Sequence, residues 1–290
     1  IDPPRESVKE SITVAKNAGI RVIMITGDNA LTAQAIASQI GIKSDVVTGV
    51  ELDKMSDEAV LNTVRQVDIY ARVNPEHKVK ILEALEKDKH IVAMTGDGIN
   101  DAPALKKAHV GIAMGISGTD VSKEASDMIL LDDHFSTIVK AVEYGRSIYD
   151  NIKKFIRFLL SANLGEVSII LFSLLLSLPL PLLPLQILWV NLATDGLPAL
   201  ALGSDPAQKD IMARKPRKRD ENILSGQRGF IILTTIVSTL VVLGLFSIEY
   251  LKTNDLARAR TIALTTLILF ELFLAFSVRS EKLNMFKTGI

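Results

Sequence analysis

The chain of 290 residues contains no cysteine, which excludes disulfide bonds and thiolate catalysis. It has no surplus of either charge, because 33 Lys and Arg residues balance 33 Asp and Glu residues. Such a balance argues against a nucleic-acid-binding protein, which carries a basic surface. Apolar residues, by contrast, make up 48% of the chain. Long apolar runs are confined to the region after residue 155, so the sequence indicates a molecule of two parts.

The apolar runs are long enough to cross a bilayer, which takes about 20 helical residues. Spans are predicted at 155–178, 182–202, 229–251 and 260–278. A buried helical core is the alternative interpretation, but it rarely needs about 18 apolar residues in succession. Residues 150–290 are therefore predicted to form a transmembrane region in contact with the lipid bilayer.

Charges in the connections predict the orientation of these spans. The first connection, 179–181, has no charge, whereas the second is crowded with basic side chains: Lys209, Arg214, Lys215, Arg217, Lys218 and Arg219. The positive-inside rule places the second connection in the cytoplasm, and an even number of spans returns the carboxyl end to the same side. We therefore expect a multi-pass membrane protein whose soluble domain and both ends are cytoplasmic. Binding of anionic lipid headgroups is an alternative use of the basic residues.

Residues 1–149 alternate strand-like and helix-like segments, the pattern of a doubly wound α/β domain. Strands are predicted at 21–25, 68–71, 91–94, 110–113 and 128–131. A further helix is predicted to begin near Phe135 and, because proline is absent, to continue into the first span. A continuous helix would couple the soluble domain mechanically to the membrane, and a loop near residues 150–151 would contradict it.

Two similar turns follow apolar strands, Thr26-Gly27-Asp28 and Thr95-Gly96-Asp97-Gly98. The second leads into a predicted helix at 100–107, so carboxylates lie where the carboxyl edge of a sheet meets the start of a helix. Asp97 and Asp101 are four residues apart and offer hard oxygen ligands of the kind that Mg²⁺ prefers. Taken alone, a Gly-Asp turn with Asp as a helix cap is the alternative interpretation.

The longer run Thr-Gly-Asp-Gly-Ile-Asn-Asp-Ala-Pro-Ala-Leu, residues 95–105, resembles the signature of the P-type ATPases. These ion pumps have a phosphorylation domain of the haloacid-dehalogenase class. The resemblance implies an α/β haloacid-dehalogenase-like (Rossmannoid) phosphorylation domain in residues 1–149, followed by an all-α transmembrane bundle of four helices in 150–290. These four would correspond to the fifth to eighth helices of the family.

The resemblance also implies roles for individual residues, with ATP as substrate and Mg²⁺ as cofactor. Magnesium would be held by Asp97 with Asp101, and Asn100 and Asp101 would support the phosphoryl site. In the earlier turn, Thr26 would bond phosphoryl oxygens within the loop that also contains Gly27 and Asp28. Lys78 would neutralise phosphoryl charge, and Arg72 would contact ATP.

The family's nucleophile motif, Asp-Lys-Thr-Gly-Thr, does not occur in the chain. In the family, the nucleophile, the nucleotide and actuator domains and the first four helices precede the matching region. The chain alone is therefore not expected to form a phosphoenzyme, and it would need the missing amino-terminal portion in cis or in trans. Two alternatives are a non-catalytic membrane partner or regulator of an intact pump, and a residual phosphatase that uses Asp97 with Mg²⁺ and water.

Carboxylates inside the predicted spans are costly and usually functional. Glu166, Asp195 and Glu271 lie there, accompanied by Asn163 three residues before Glu166 and by Asn191 and Thr194 on the helical face of Asp195. Oxygen ligands suit a hard cation, and the absence of cysteine and of histidine in the spans argues against copper or zinc. Hydrogen bonding to neighbouring helices is the alternative role for the Asn and Thr side chains.

The segments around these residues resemble the fifth, sixth and eighth helices of endoplasmic-reticulum-type calcium pumps. The resemblance implies that Asn163, Glu166, Asn191, Thr194, Asp195 and Glu271 are Ca²⁺ ligands and that Ca²⁺ is the transported ion. Gly196 and Pro198 are expected to interrupt the second span and free backbone carbonyls, as in discontinuous transporter helices.

Overall fold

The computed structural model describes residues 6–218 and 221–279. These residues form two compact units. The first contains the described residues up to 144 together with 209–218, and the second contains 145–208 and 221–279. The predicted boundary between the two parts of the chain is at residue 149, close to the observed one. The sequence does not indicate that the 209–218 connection belongs to the first unit. Arg219 of the predicted basic connection lies outside the described residues.

Helices and short strands alternate through the first unit. In chain order they are α1 (Glu6–Asn17), β1 (Met24–Ile25), α2 (Ala30–Gln39), β2 (Val46–Thr48), α3 (Gly49–Lys54), α4 (Asp57–Gln66), β3 (Ile69–Ala71), α5 (Pro75–Lys87), β4 (Ala93–Gly96), α6 (Ala102–Lys107), β5 (Val110–Met114), α7 (Asp120–Glu124) and β6 (Met128–Leu130). Each of the five predicted strands overlaps an observed one, whereas β2 was not predicted.

The strands form two parallel three-stranded sheets, in the orders β1-β3-β2 and β4-β5-β6. Met24 pairs with Ile69 in the first sheet, and Ala93 pairs with Val110 in the second. Helices connect the parallel strands, which confirms the doubly wound α/β architecture. Within the described residues, β1 and β4 each form the outer strand of their sheet.

Two apolar clusters hold the first sheet between layers of helices. Ile69 and Ala71 of β3 pack with residues of α1 and α2, whereas the intervening Tyr70 packs with residues of α4 and α5. This alternation follows from the pleat of a strand that is covered on both faces. Ile25 and Val92 both pack against the Tyr70 cluster, so the same helical layer covers the segments around β1 and β4.

The 209–218 connection packs within the first unit as well. Its short turn Ile211–Ala213 lies against α1, and Ile211 is buried. Gly19 has a left-handed φ of +75°, and a Cβ at this position would lie 2.5 Å from Pro216 Cδ. Both the backbone conformation and the lack of space therefore favour glycine after α1. The connection between the second and third long apolar helices is therefore anchored in the α/β unit.

The remaining helices are α8 (Phe135–Leu175), α9 (Pro184–Trp189), α10 (Gly196–Gly203), α11 (Arg228–Thr253) and α12 (Leu256–Val278). Among the described residues, four helical segments are long and apolar enough to cross a membrane: 135–175, 184–203, 228–253 and 256–278. The four predicted spans are thus confirmed as membrane-spanning candidates. Helix α8 begins at Phe135 and has no loop at residues 150–151, which confirms the predicted continuous helix.

The second span does not break where the sequence suggested. A π-helical turn, Val190–Asp195, joins α9 to α10, and α10 continues through Pro198. Pro198 follows this turn directly; proline has no backbone N–H and crowds the carbonyl four residues earlier, and a wider π-helical turn is one way in which a helix accommodates it. The irregularity therefore lies in the turn that contains Asn191 and Asp195 rather than after it.

Within the second unit, an ionic cluster links the segment after α10 to α8 and to the residue that follows α12. Lys154 of α8 lies 2.6 Å from one carboxylate oxygen of Asp205, and Arg279, which follows α12, lies 3.0 Å from the other. Asn151 donates to the carbonyl oxygen of Asp205 at 2.7 Å and to that of Gly203 at 3.3 Å. The segment after α10 is therefore fixed to the middle of α8 and to the end of α12.

Candidate functional sites

The first site lies at the carboxyl ends of the strands in the α/β unit. The Thr26 amide donates to the carbonyl of Tyr70 at 2.9 Å, and the Arg72 amide donates to the carbonyl of Asp28 at 2.8 Å. The loops after β1 and β3 are therefore held side by side. The Thr26 hydroxyl lies 3.1 Å from a carboxylate oxygen of Asp28, and Gly27 and Asp28 are exposed.

Asp101 braces the loop after β4. One of its carboxylate oxygens accepts from the amides of Asp97 and Gly98, each at 3.3 Å, and the other pairs with the Lys78 ammonium. A Cβ at Gly96 would lie 2.8 Å from Asp101 Cγ, so only glycine leaves room for this carboxylate. Both oxygens of Asp101 thus have partners in this arrangement, and its role as a magnesium ligand stays a prediction.

Asp97 is the accessible carboxylate of this loop. Its backbone carbonyl accepts from the Thr119 amide at 2.9 Å and from the Ser122 hydroxyl at 3.2 Å, while the residue is exposed, as is Asn100. Lys78 approaches from the first turn of α5 and retains 17% side-chain exposure. The edge therefore presents a fixed ammonium and an accessible carboxylate, the donor set that suits a magnesium–phosphate ligand.

Arg72 lies beside this edge in the loop after β3. Its backbone is left-handed, with φ 49°, and the residue is exposed. The hydrogen bond from the Arg72 amide to the Asp28 carbonyl explains this conformation, because the chain must turn back toward the loop after β1. The structure thus forms two groups at the carboxyl ends of the strands. Thr26, Asp28 and Arg72 lie in the adjoining loops after β1 and β3, and Lys78, Asp97 and Asp101 lie at the loop after β4.

The second site consists of carboxylates buried in the apolar helices. Glu166, Asp195 and Glu271 are 4%, 1% and 1% exposed. Five of their six carboxylate oxygens have no hydrogen-bond partner among the described residues. The sixth, Oε2 of Glu166, accepts from Asn191 Nδ2 at 2.7 Å. Buried polar atoms are normally paired, so these oxygens indicate a ligand or bound water.

The helices bring most, but not all, of the predicted ligands together. The π-helical turn that contains Asn191, Thr194 and Asp195 packs against α12, which carries Glu271, and Thr194 is buried. Asn163 behaves differently: it is exposed and donates to the carbonyl of Leu159 on its own helix at 2.8 Å. Across residues 6–218 and 221–279, no group of three or more His, Asp or Glu side chains forms a ready metal centre.

The residues that fix these loops in place are not among the predicted site residues. Thr119 and Ser122 hold the backbone of Asp97, and His77 is buried within the first turn of α5. Asn74 and His77 have the spacing of a reciprocal helix cap, and that spacing could have drawn attention to His77. The Ser122 contact spans 25 residues of sequence and had no local signal.

Comparisons with known proteins identify relatives for both parts of the chain. Residues 1–109 match a family model described as haloacid dehalogenase-like hydrolase, and residues 179–290 match one described as cation transporting ATPase, C-terminus. A calcium-transporting ATPase of Bacillus subtilis (strain 168) is 48% identical over 97% of this chain and 32% of its own length. Calcium-transporting ATPase type 2C member 1 of Homo sapiens is 42% identical over 100% of this chain and 32% of its own length.

A third relative, the endoplasmic reticulum calcium ATPase srcA of Aspergillus fumigatus, is 51% identical over 78% of this chain and 24% of its own length. The fold and these matches define a haloacid-dehalogenase-like domain joined to a helical membrane region. The two family-model matches and the similarity to calcium-transporting ATPases along the whole chain confirm the resemblance to the P-type ATPases that the sequence motif predicted. The chain spans about a third of the length of the curated relatives that match it over all or almost all of its residues.

Proposed function

We propose that this chain contributes the phosphoryl-handling edge and part of the ion path of an ATP-driven calcium pump. The observation that carries the proposal is the set of buried carboxylates on helices that follow a haloacid-dehalogenase-like domain; five of their oxygens have no hydrogen-bond partner among residues 6–218 and 221–279. Three relatives named as calcium ATPases support Ca²⁺ as the cargo. A carboxylate set free of sulfur and imidazole also suits a hard cation.

At the α/β edge, each residue has a role that its position supports. Lys78 neutralises phosphoryl charge, and Asp101 orients the Lys78 ammonium through their ion pair. Asp97 holds Mg²⁺, which offsets the charge of the phosphoryl group. Thr26 bonds a phosphoryl oxygen, and the exposed Asn100 and Arg72 contact the phosphorylated loop and the nucleotide.

The nucleophile would come from a strand that is not among the described residues. Both β1 and β4 are outer strands of their sheets, and one helical layer covers the segments next to both. A strand between them would end beside Thr26 and Asp97, where an aspartyl nucleophile could receive a phosphoryl group. An amino-terminal pump portion, in cis or in trans, is therefore the partner that we propose.

In the membrane region, Glu166, Asn191, Thr194, Asp195 and Glu271 would hold Ca²⁺. Asn163 would join them only after its side chain leaves the carbonyl of Leu159. The anchoring of the 209–218 connection in the α/β unit, together with its basic residues, supports a cytoplasmic location for that unit.

A chimera tests the proposal: the matching third of the Bacillus subtilis relative is replaced by this chain, and ATP-driven Ca²⁺ uptake is measured in membrane vesicles. We expect Ca²⁺-dependent ATP hydrolysis with an acid-stable phosphoenzyme. Asp97→Asn should abolish both, whereas Glu271→Gln should raise the Ca²⁺ concentration needed for half-maximal uptake by about 10-fold or more.

The matched control is His90→Gln, since His90 is half exposed and pairs only with Asp88 among the described contacts. It should leave hydrolysis unchanged. A chimera that inserts into the membrane at normal abundance but shows no Ca²⁺-dependent hydrolysis would contradict the proposal. Full activity of Asp97→Asn would do the same and would favour a non-catalytic role for the chain.

A further inference from the structure

His77 connects two helices at the edge of the phosphoryl site. It is 6% exposed, and its Nε2 lies 2.8 Å from Oδ1 of Asp53, in the last turn of α3. Its other ring nitrogen, Nδ1, accepts from the backbone amide of Asn74 at 3.1 Å. Because an amide can only donate, Nδ1 is unprotonated and Nε2 carries the hydrogen that is donated to Asp53.

The same two residues, Asn74 and His77, cap α5. Asn74 Oδ1 accepts from the His77 amide at 2.9 Å, which completes a reciprocal pair of bonds across the first turn. Lys78 is the next residue in that turn, and its ammonium reaches Asp101. The direction in which Lys78 leaves the helix is therefore set by a turn that His77 ties to α3.

Two further contacts indicate that α3 serves as a support for this turn. Lys80 donates to the carbonyls of Leu52 at 2.9 Å and Met55 at 3.3 Å, at the end of α3. At the beginning of α3, a Cβ on Gly49 would lie 2.7 Å from His77 Nδ1. Glycine at that position lets α3 approach the imidazole ring closely.

We propose that His77 and Asp53 are positioning residues for Lys78: the His77–Asp53 hydrogen bond fixes the first turn of α5 against α3, so that the Lys78 ammonium stays at the phosphoryl site. The functional part of this inference rests on the proposed function. Neither residue reaches the reacting atoms. Their effect is exerted through the turn, and a small displacement of a charged group at such a site lowers the rate strongly.

Substitution of Asp53 tests the His77–Asp53 hydrogen bond separately from the stability of the fold. The Asp53 side chain is 67% exposed, so Asp53→Ala removes the partner of Nε2 without opening the core, and it leaves the Asn74 cap intact. Asp53→Asn keeps an oxygen that can accept from Nε2. Val60→Ala is the structural control, because Val60 is 1% exposed in the Tyr70 cluster and makes no hydrogen bond to the turn through its side chain.

The first measurement uses this chain in lipid nanodiscs and does not require activity. Reductive methylation of Lys78 is followed by mass spectrometry, with Lys107, whose side chain is 48% exposed, as the internal reference. We expect Asp53→Ala to accelerate Lys78 methylation by about 10-fold, the equivalent of losing about one hydrogen bond, and Asp53→Asn to restore the slow rate. Val60→Ala should not change the ratio of Lys78 to Lys107.

The second measurement uses the chimeric pump. Asp53→Ala should lower kcat by about 10-fold and leave the KM for ATP unchanged, with recovery in Asp53→Asn, because only the placement of Lys78 is altered. Equal methylation of Lys78 in Asp53→Ala and the parent chain overturns the inference, and so does an equal loss of kcat in Val60→Ala. If the parent chimera is inactive, the proposed function fails, while the methylation ratio still decides whether Asp53 and His77 position Lys78.

Discussion

Replacing Glu271 by leucine should make the chain more stable without Ca²⁺ and should reduce its response to Ca²⁺. Glu271 is 1% exposed in α12, and neither of its carboxylate oxygens has a partner among the described residues. Leucine occupies a similar volume and has no polar atoms to leave unpaired. The substitution therefore exchanges a costly buried group for an apolar contact with the π-helical turn.

The expected size of the effect follows from the burial. A buried polar group without partners costs about 1–3 kcal/mol, so Glu271→Leu should raise the free energy of unfolding by about 2 kcal/mol in EDTA. For a unit of this size, 1 kcal/mol moves Tm by about 2–4 °C, which gives an increase of about 4–8 °C. Ca²⁺ at 100 times its Kd should stabilise the parent chain by about 2.7 kcal/mol and the variant by much less.

The assay is thermal unfolding of both proteins in lipid nanodiscs, with EDTA and with a series of Ca²⁺ concentrations. Glu249→Leu is the matched control, because Glu249 lies 2.6 Å from Arg258 Nε and its removal should not stabilise the chain. A lower Tm for Glu271→Leu in EDTA would refute the argument that this carboxylate is uncompensated. An equal Ca²⁺ shift in variant and parent would refute its assignment as a ligand.

Further predictions concern the α/β unit. Gly96→Ala should destabilise it by about 1–3 kcal/mol in thermal unfolding, because the added Cβ would lie 2.8 Å from Asp101 Cγ. Tyr70→Phe should raise its unfolding free energy by about 1–2 kcal/mol, since the buried hydroxyl has no hydrogen-bond partner in the part of the chain that the structure describes, and burial raises the pKa of Tyr70 to about 12. For Asp133, desolvation raises the pKa, but backbone N–H groups of residues 115–117 outweigh it and lower the pKa from 3.8 to about 2. Its stabilising effect is therefore present above pH 3.8 and is lost as the pH falls toward 2, so Tm measured across this range should fall less steeply in Asp133→Asn.

Much of the fold could be predicted because its signals are local. Apolar runs predicted the spans, and the absence of proline after Phe135 predicted a continuous helix, which the structure confirms. Strand β2 was missed because Val46–Thr48 contains only two apolar residues, between Asp45 and Gly49, and pairing with β3 is what makes them a strand. Gly196 and Pro198 predicted an interruption after Asp195, but α10 continues through both, and the irregularity lies in the π-helical turn that precedes them.

The candidate sites were predicted only in part. The motif selected Asp97, Asp101 and Lys78 as candidates, but it could not distinguish an accessible carboxylate from one whose two oxygens are already engaged. Similarly, the spacing of Asn163 and Glu166 suggested a shared helical face, yet Glu166 is buried whereas Asn163 is exposed. The positions of the neighbouring helices determine which residues of a helix are buried.

The sequence alone determined the class of the protein, because a short motif at a strand end and long apolar segments are properties of neighbouring residues. The tertiary structure decided how the side chains are used. Only folding brings Lys78 to Asp101 across 23 residues and Asn191 to Glu166 across 25, and only packing leaves five buried carboxylate oxygens without partners. Charges act over a few ångströms, so the chemistry of a site depends on distances that the order of residues does not contain.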